Sequence, residues 1–256
     1  MIPPIDPHGP LAISLIAGAA FLAAIVKGVT TMGLGLVGVT VIAMFLDVQT
    51  AVLSMFAAKF VSDAIMLFES KRGNAWHLAW RLRWFAASGI VAVSAATYLL
   101  ANLPSHILLL ILGATIIAFI ALQMRREPIR IAVEREQPWG LVFGSATGVL
   151  QGLTGIGGPP TAMYLFSMRL TTAEFVFLSC VVYFLFDLGQ LAAVLSLDLY
   201  NTTRIFYSIA VFIPVMLGTW VGIRLRRRVS VTMFRYAVLA VLFITGIGLI
   251  VKGLRF

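Results

Sequence analysis

The sequence predicts an all-α polytopic membrane protein built as two inverted repeats, each a broken or re-entrant helix pair followed by three transmembrane helices. Three observations lead there: an apolar composition, an internal similarity at a fixed offset, and basic residues confined to short stretches between apolar runs. Hydrophobic residues fill 61% of the 256 positions and charged residues 11%, with a mean hydropathy of +1.01. A soluble domain carries about 25% charged residues, and so apolar a chain could not cover its side chains with so little polar surface. A bilayer solvates apolar faces directly. At roughly 20 residues per crossing the chain has room for up to about ten segments, and none for a separate soluble domain. Barrel strands would alternate apolar and polar residues over about ten positions, and no stretch does so.

The internal similarity appears on shifting the chain by 124 residues without a gap, which lays 27–67 over 151–191 with nine identities in 41 positions. Leu46/Leu170 and Val52/Val176 carry little weight in so apolar a chain. Gly28/Gly152, Thr30/Thr154, Gly33/Gly157 and Asp63/Asp187 carry more, because those residue types are scarce here. The first repeat spans 1–126 and the second 139–256, with 127–138 as a cytoplasmic linker. In chain order, 11–46 is an apolar segment interrupted around 27–35, followed by continuous segments at 51–68, 84–103 and 106–124. The second half repeats the plan with 139–168, interrupted around 151–160, and then 172–197, 205–223 and 232–251.

Thirteen of the 19 Lys and Arg residues lie in 69–83, 125–135 and 224–235. Positive charge in short loops marks the cytoplasmic side, and so this placement argues for a membrane protein and against a nucleic-acid partner. If all three stretches are cytoplasmic, the path from 125–135 to 224–228 begins and ends inside and holds the broken segment plus two full crossings. The broken segment must then return to the side it entered. Its 30 residues (139–168) suit a hairpin of half-helices, since two crossings need about 40 residues. The same rule puts the N-terminus outside and gives the halves opposite orientations, with Lys252 and Arg255 as charges on the wrong side. The opening Met-Ile-Pro-Pro-Ile-Asp-Pro lacks a basic n-region and reads as mature chain. Cys180, the single cysteine, lies in an apolar run and has no disulfide partner within the chain.

Inverted repeats with broken helices are a recurring plan of secondary transporters, with solute held where the breaks meet. Helix ends there expose backbone groups, the N-terminal ends suit anions, and glycine lets the backbone approach a ligand. The second break reads Gln151-Gly-Leu-Thr-Gly-Ile-Gly-Gly-Pro-Pro160, a run that cannot continue as regular helix. Candidate substrate-binding residues are Lys27, Thr30, Thr31 and Gly33 in the first break, and Gln151, Thr154, Gly155, Gly157, Gly158 and Pro159 in the second. Each has a structural alternative: helix packing for the glycines, snorkelling for Lys27, and bonding to their own helix for the threonines. Asp63 and Asp187 sit at equivalent positions inside apolar runs, where a carboxylate can load and release a coupling proton or cation. Pairing with Lys59 is the structural alternative for Asp63. Gln190, Tyr183 and Ser62 are nearby polar candidates. Trp76, Trp80 and Trp84, beside His77, Arg81 and Arg83, form an amphipathic stretch at the membrane surface.

The string Gly152-x-x-Gly-x-Gly-Gly-Pro-Pro160, its repeat in the first half and the Arg226-Arg-Arg-x-Ser230 stretch resemble the sulfite exporter TauE/SafE family, also called toluene-sulfonate uptake permeases. The resemblance runs from about Leu11 to Gly253 and implies a bacterial inner-membrane permease for sulfite, sulfonates or related organic anions. The first copy departs from the pattern, with Thr31 and Leu34 where the second has Gly155 and Gly158. The expected partners are a small anionic solute and the lipid bilayer; homo-oligomerisation is compatible with the sequence. No enzyme is expected: catalytic residues and cofactors are lacking, His8, His77 and His106 are scattered, and no metal-ligand spacing appears. An intramembrane enzyme would need a clustered nucleophile and base or a His-Glu-x-x-His site. A cation or proton-coupled carrier or channel using Asp63 and Asp187 is the competing reading within transport.

Overall fold

A computed structural model describes residues 9–70, 76–124, 136–168, 170–226 and 231–254. Helices account for almost all of these residues, and none is in a strand. Helix α1 (Pro10–Thr30) starts with proline at its first position, where the missing N–H costs nothing. It stops where Thr31 turns left-handed, with its N–H bonded to the Lys27 carbonyl at 2.7 Å. A π-helical stretch (Leu34–Val39) then runs into the short α2 (Thr40–Phe45). The first half continues with α3 (Val48–Ser70), the short α4 (Trp76–Arg81), α5 (Arg83–Asn102) and α6 (Ser105–Met124). The second half comprises α7 (Glu136–Thr154), α8 (Gly158–Ser167), α9 (Thr172–Ser196), α10 (Thr202–Leu225) and α11 (Val231–Leu254). Among the described residues six helices, α1, α3, α5, α6, α9 and α10, are long and apolar enough to cross a membrane.

The 124-residue offset carries elements onto elements. Adding 124 takes 10–30 to 134–154 (α7), 34–45 to 158–169 (α8), 48–70 to 172–194 (α9), 83–102 to 207–226 (α10) and 105–124 to 229–248 (α11). Both breaks fall where the sequence places them, after Thr30 and after Thr154, but the limbs around them are unequal. Helix α1 has 21 residues, about 32 Å at 1.5 Å per residue, whereas α8 has ten, about 15 Å. Helix α7 already begins at Glu136, inside the stretch expected as linker.

The compact units of the fold are not the two halves of the sequence. One unit gathers described residues within Met1–Lys59, Leu103–Ile120 and Tyr200–Phe256; the other gathers those within Phe60–Asn102 and Ala121–Leu199. In the first unit α1 packs along α10, and in the second α7 packs along α5. Glycines permit both approaches. On α7 a Cβ at Gly144, Gly148 or Gly152 would lie 2.3, 2.4 or 2.7 Å from the carbonyl oxygens of Phe85, Gly89 and Val93 respectively. On α10 the same atom at Gly218 or Gly222 would lie 2.4 or 2.5 Å from the Phe21 or Ile25 carbonyl. Lipid offers no hydrophobic drive for helices to associate, so close backbone contact supplies van der Waals attraction instead.

Within the second unit the rings of Tyr164, Phe85 and Phe186 stack at 5.0 and 5.7 Å and centre a buried cluster with Leu82, Val182 and Leu178. Arg81 at the end of α4 grips Glu136 at the start of α7 through Nη2 contacts of 2.5 and 2.7 Å, and Tyr164 donates to the Glu136 carbonyl. Trp80 is 71% exposed and Arg83 lies over its ring, in keeping with a surface-lying aromatic stretch. In the first unit the half-buried Tyr200 hydroxyl donates to the Leu53 carbonyl at 2.9 Å. Burial raises its pKa, which keeps it a donor. Lys252 is engaged as well: its ammonium donates to the carbonyls of Ala43, Met44 and Leu46 at the C-terminal end of α2. Its charge therefore has a structural partner in the helix dipole, which explains a lysine beside the last helix without assigning it to a cytoplasmic loop. Much of the three basic stretches (71–75, 125–135 and 227–230) lies outside the described residues.

Two glycine substitutions separate packing from helix propensity. Gly148→Ala sets a methyl against the Gly89 backbone and is expected to destabilise by about 1–3 kcal/mol. Gly18→Ala meets nothing within 4 Å and is expected to stabilise by about 0.5–1 kcal/mol. Melting temperatures of the purified variants in detergent test the pair, and the same sign for both would contradict the close helix contact.

Candidate functional site

The two breaks share a backbone design. Thr30 and Thr154, equivalent under the offset, each set the hydroxyl against the carbonyl four residues back, Val26 at 2.9 Å and Leu150 at 2.6 Å. Each hydroxyl also accepts from the N–H two residues on, Met32 and Ile156, both at 3.3 Å. Both hydroxyls are thus committed to closing off a helix end. Next comes a left-handed residue: Gly155 with φ of 72° in the second break and Thr31 with φ of 68° in the first. Its N–H returns to the carbonyl four back, Gln151 at 2.8 Å and Lys27 at 2.7 Å, the αL manner of ending a helix.

Around that shared backbone the side chains differ. In the first break Lys27 is 2% exposed and donates to the Lys59 carbonyl at 3.2 Å. Gly33 folds back onto α1, where a Cβ would lie 2.6 Å from the Val26 side chain and 2.9 Å from the Lys27 backbone nitrogen. Thr31 pays twice, because a β-branched residue is disfavoured at positive φ and its buried hydroxyl has no hydrogen-bond partner. Strain of this kind persists only where the surroundings or the function require it. Arg226, at the end of α10, places its Nε 2.9 and 3.1 Å from the carbonyls of Gly28 and Val29 and so caps the open end of α1.

In the second break Gln151 is fully buried. Its amide nitrogen donates to Asp187 Oδ1 at 3.0 Å, while its amide oxygen has no partner. That oxygen faces the break, for a Cβ at Gly157 would lie 2.5 Å from it. Gly157 therefore leaves room for the Gln151 carboxamide. Gly158 and Pro159 are buried at the first turn of α8, where Pro159 and Pro160 supply no N–H. Helix α9 turns a polar face inward: Ser179, Tyr183, Asp187 and Gln190, spaced by four, four and three residues, are all buried. Asp63 is 1% exposed and acts electrostatically on the Tyr183 hydroxyl, and Thr161 faces that hydroxyl too. The Ser179 and Tyr183 hydroxyls and the Gln190 amide nitrogen lack hydrogen-bond partners of ordinary geometry.

The sequence-derived candidates thus fall into two groups. Lys27, Thr30, Thr31 and Gly33 surround the first break; Gln151, Thr154, Gly155, Gly157, Gly158 and Pro159 surround the second, which also brings in Asp187. Two residues outside the sequence-derived set also belong here. Ser179 could have been found by extending the α9 stripe one turn back from Tyr183. Arg226 had no local signal beyond its place in a basic run. Among the described residues no group of three or more His, Cys, Asp and Glu side chains is placed to hold a metal ion. Thr31→Gly is expected to stabilise the protein by about 1 kcal/mol, the left-handed cost of roughly 1–2 kcal/mol less the extra unfolded-chain entropy of glycine. A lower melting temperature would mean that the Thr31 side chain makes contacts worth more than its strain.

Neither a curated protein nor a solved structure matches the chain. The family model for Sulfite exporter TauE/SafE matches residues 16–249. That span takes in both breaks, the buried Asp63 and Asp187 and the Arg226 cap. The chain belongs to the sulfite exporter TauE/SafE family.

Proposed function

We propose that this membrane transport protein is a secondary transporter of the cell inner membrane that carries a small anion, such as sulfite, a sulfonate or a related organic anion, with Asp63 and Asp187 coupling its movement to an ion. Membership of the family supports the transport class and the sulfur chemistry. The observation that carries the anion is Lys27, an ammonium 2% exposed in the last turn of a membrane helix. A charged side chain buried within a membrane protein is costly unless it faces a partner or a polar cavity, and such residues mark solute pathways. Further along the same break come the strained Thr31, with its hydroxyl, and the 34–39 stretch, whose first amides carry no proline. Ammonium, hydroxyl and amides suit an oxyanion.

The repeat organisation supports two oppositely oriented copies. Helix α1 pairs with α10 and its counterpart α7 pairs with α5, the counterpart of α10, so the pairing is reciprocal. Phe60 stacks on Phe184 at 5.4 Å, and 60 plus 124 is 184. Contact of a residue with its own counterpart is what a two-fold axis between copies produces.

Two experiments test this reading. In proteoliposomes, uptake of radiolabelled sulfite or a sulfonate is expected to exceed that of a monovalent cation, and Lys27→Gln is expected to weaken anion affinity. Asp63→Asn and Asp187→Asn are expected to abolish gradient-driven transport while sparing equilibrium exchange; loss of exchange as well would make them substrate-binding or structural. In a Cys180→Ala background, Arg130→Cys and Arg227→Cys are expected to react with an impermeant thiol reagent from the same side. Labelling from opposite sides would refute the inverted topology.

A further inference from the structure

The two breaks are equivalent in sequence but opposite in chemistry. Under the offset, Lys27 and Lys59 correspond to Gln151 and Tyr183, while aspartate is kept at 63 and 187. The second copy has thus exchanged both ammonium groups for neutral oxygen-bearing side chains and retained its carboxylate. Its α8 start has lost donors too, since Pro159 and Pro160 have no N–H. An anion would meet few donors there, and Asp187 would repel it. Gln151 meanwhile spends its N–H on Asp187 and turns its unpartnered, fully buried amide oxygen toward Gly157. The end of α7 adds the last carbonyls of a helix, the negative pole of its dipole.

We infer that the second break is a binding site for a monovalent metal cation, Na+ in the first instance, built from Asp187, the Gln151 amide oxygen and the carbonyl end of α7, with Tyr183 and Asp63 behind them. The inference rests on the transport reading above and divides its labour: the first break takes the anion, the second the coupling cation. A hard alkali cation is the ligand that fits this set, because carboxylate, amide and backbone oxygens are all hard donors. A proton would need only the carboxylate. Unwound backbone and helix C-termini are where transporters of this plan hold Na+.

The test uses the purified full-length chain in lipid nanodiscs, with no anionic substrate, titrated with NaCl against choline chloride at constant ionic strength. Saturable binding of radioactive sodium and a matching rise in melting temperature are expected in the unaltered protein. Asp187→Asn, close in shape, and Tyr183→Phe keep the fold testable if Gln151→Leu misfolds. Asp187→Asn and Gln151→Leu are expected to weaken Na+ binding about 10–100-fold, and Tyr183→Phe to weaken it less. Lys27→Gln is expected to leave Na+ binding intact. Absence of saturable Na+ binding, or binding that survives both Asp187→Asn and Gln151→Leu, overturns the site, as does uptake driven by a pH gradient with no response to Na+. Sulfonate uptake measured in parallel separates the two claims: bound Na+ without any uptake defeats the transport reading, and uptake without bound Na+ defeats only the cation site.

Discussion

The constraint that shapes this molecule is the cost of an unpaired backbone polar group in hydrocarbon. A helix that stops inside a membrane protein strands its last carbonyls, and the chain stops helices in this way twice. Each stop is built from the same parts: a threonine hydroxyl lying across the helix end, a left-handed residue sending its N–H back four residues, and a short second limb beyond the break. Cations finish the accounting in the first unit, with Arg226 on the carbonyls of α1 and Lys252 on those of α2. Their positive charge sits at the negative ends of helices, where it is favourable. Side chains free to serve a solute are those that remain once these demands are met.

Much of this was legible beforehand, because scarce residues in an apolar chain are informative. Glycines in the first break, and glycines with prolines in the second, marked both breaks inside the expected windows of 27–35 and 151–160, since neither residue type sustains a helix there. Asp63 and Asp187 stood out for the same reason and are buried. Thr30 and Thr154 also stood out, yet their hydroxyls serve the backbone, the ordinary fate of a threonine near a helix end. What set them apart from Thr31, one residue away, is the left-handed φ of Thr31, which a sequence does not display.

The exchange of helices between the halves was less accessible. Nothing in a hydropathy profile says which apolar helix meets which, because every one is apolar enough for lipid. The signal that existed was small-residue spacing: Gly140, Gly144, Gly148 and Gly152 recur every four residues on α7, as do Gly218 and Gly222 on α10. Such spacing announces a close neighbour without naming it. The unequal lengths of the two limbs were likewise hidden, because hydrophobicity marks how long an interrupted run is and not how its residues are shared out.

The exchanged pairing bears on how the chain is made. Helix α1 ends at residue 30, and its partner α10 begins at 202. At a synthesis rate of about 5–20 residues per second, α1 waits on the order of 10–30 s for the surface it will finally pack against. During that wait it must rest on lipid or on an insertion factor, with a buried-to-be lysine near its end. A nascent chain stalled after its first half has everything needed to enter the bilayer but lacks the long helix that its opening helix packs along, so quality control would meet it as an orphan.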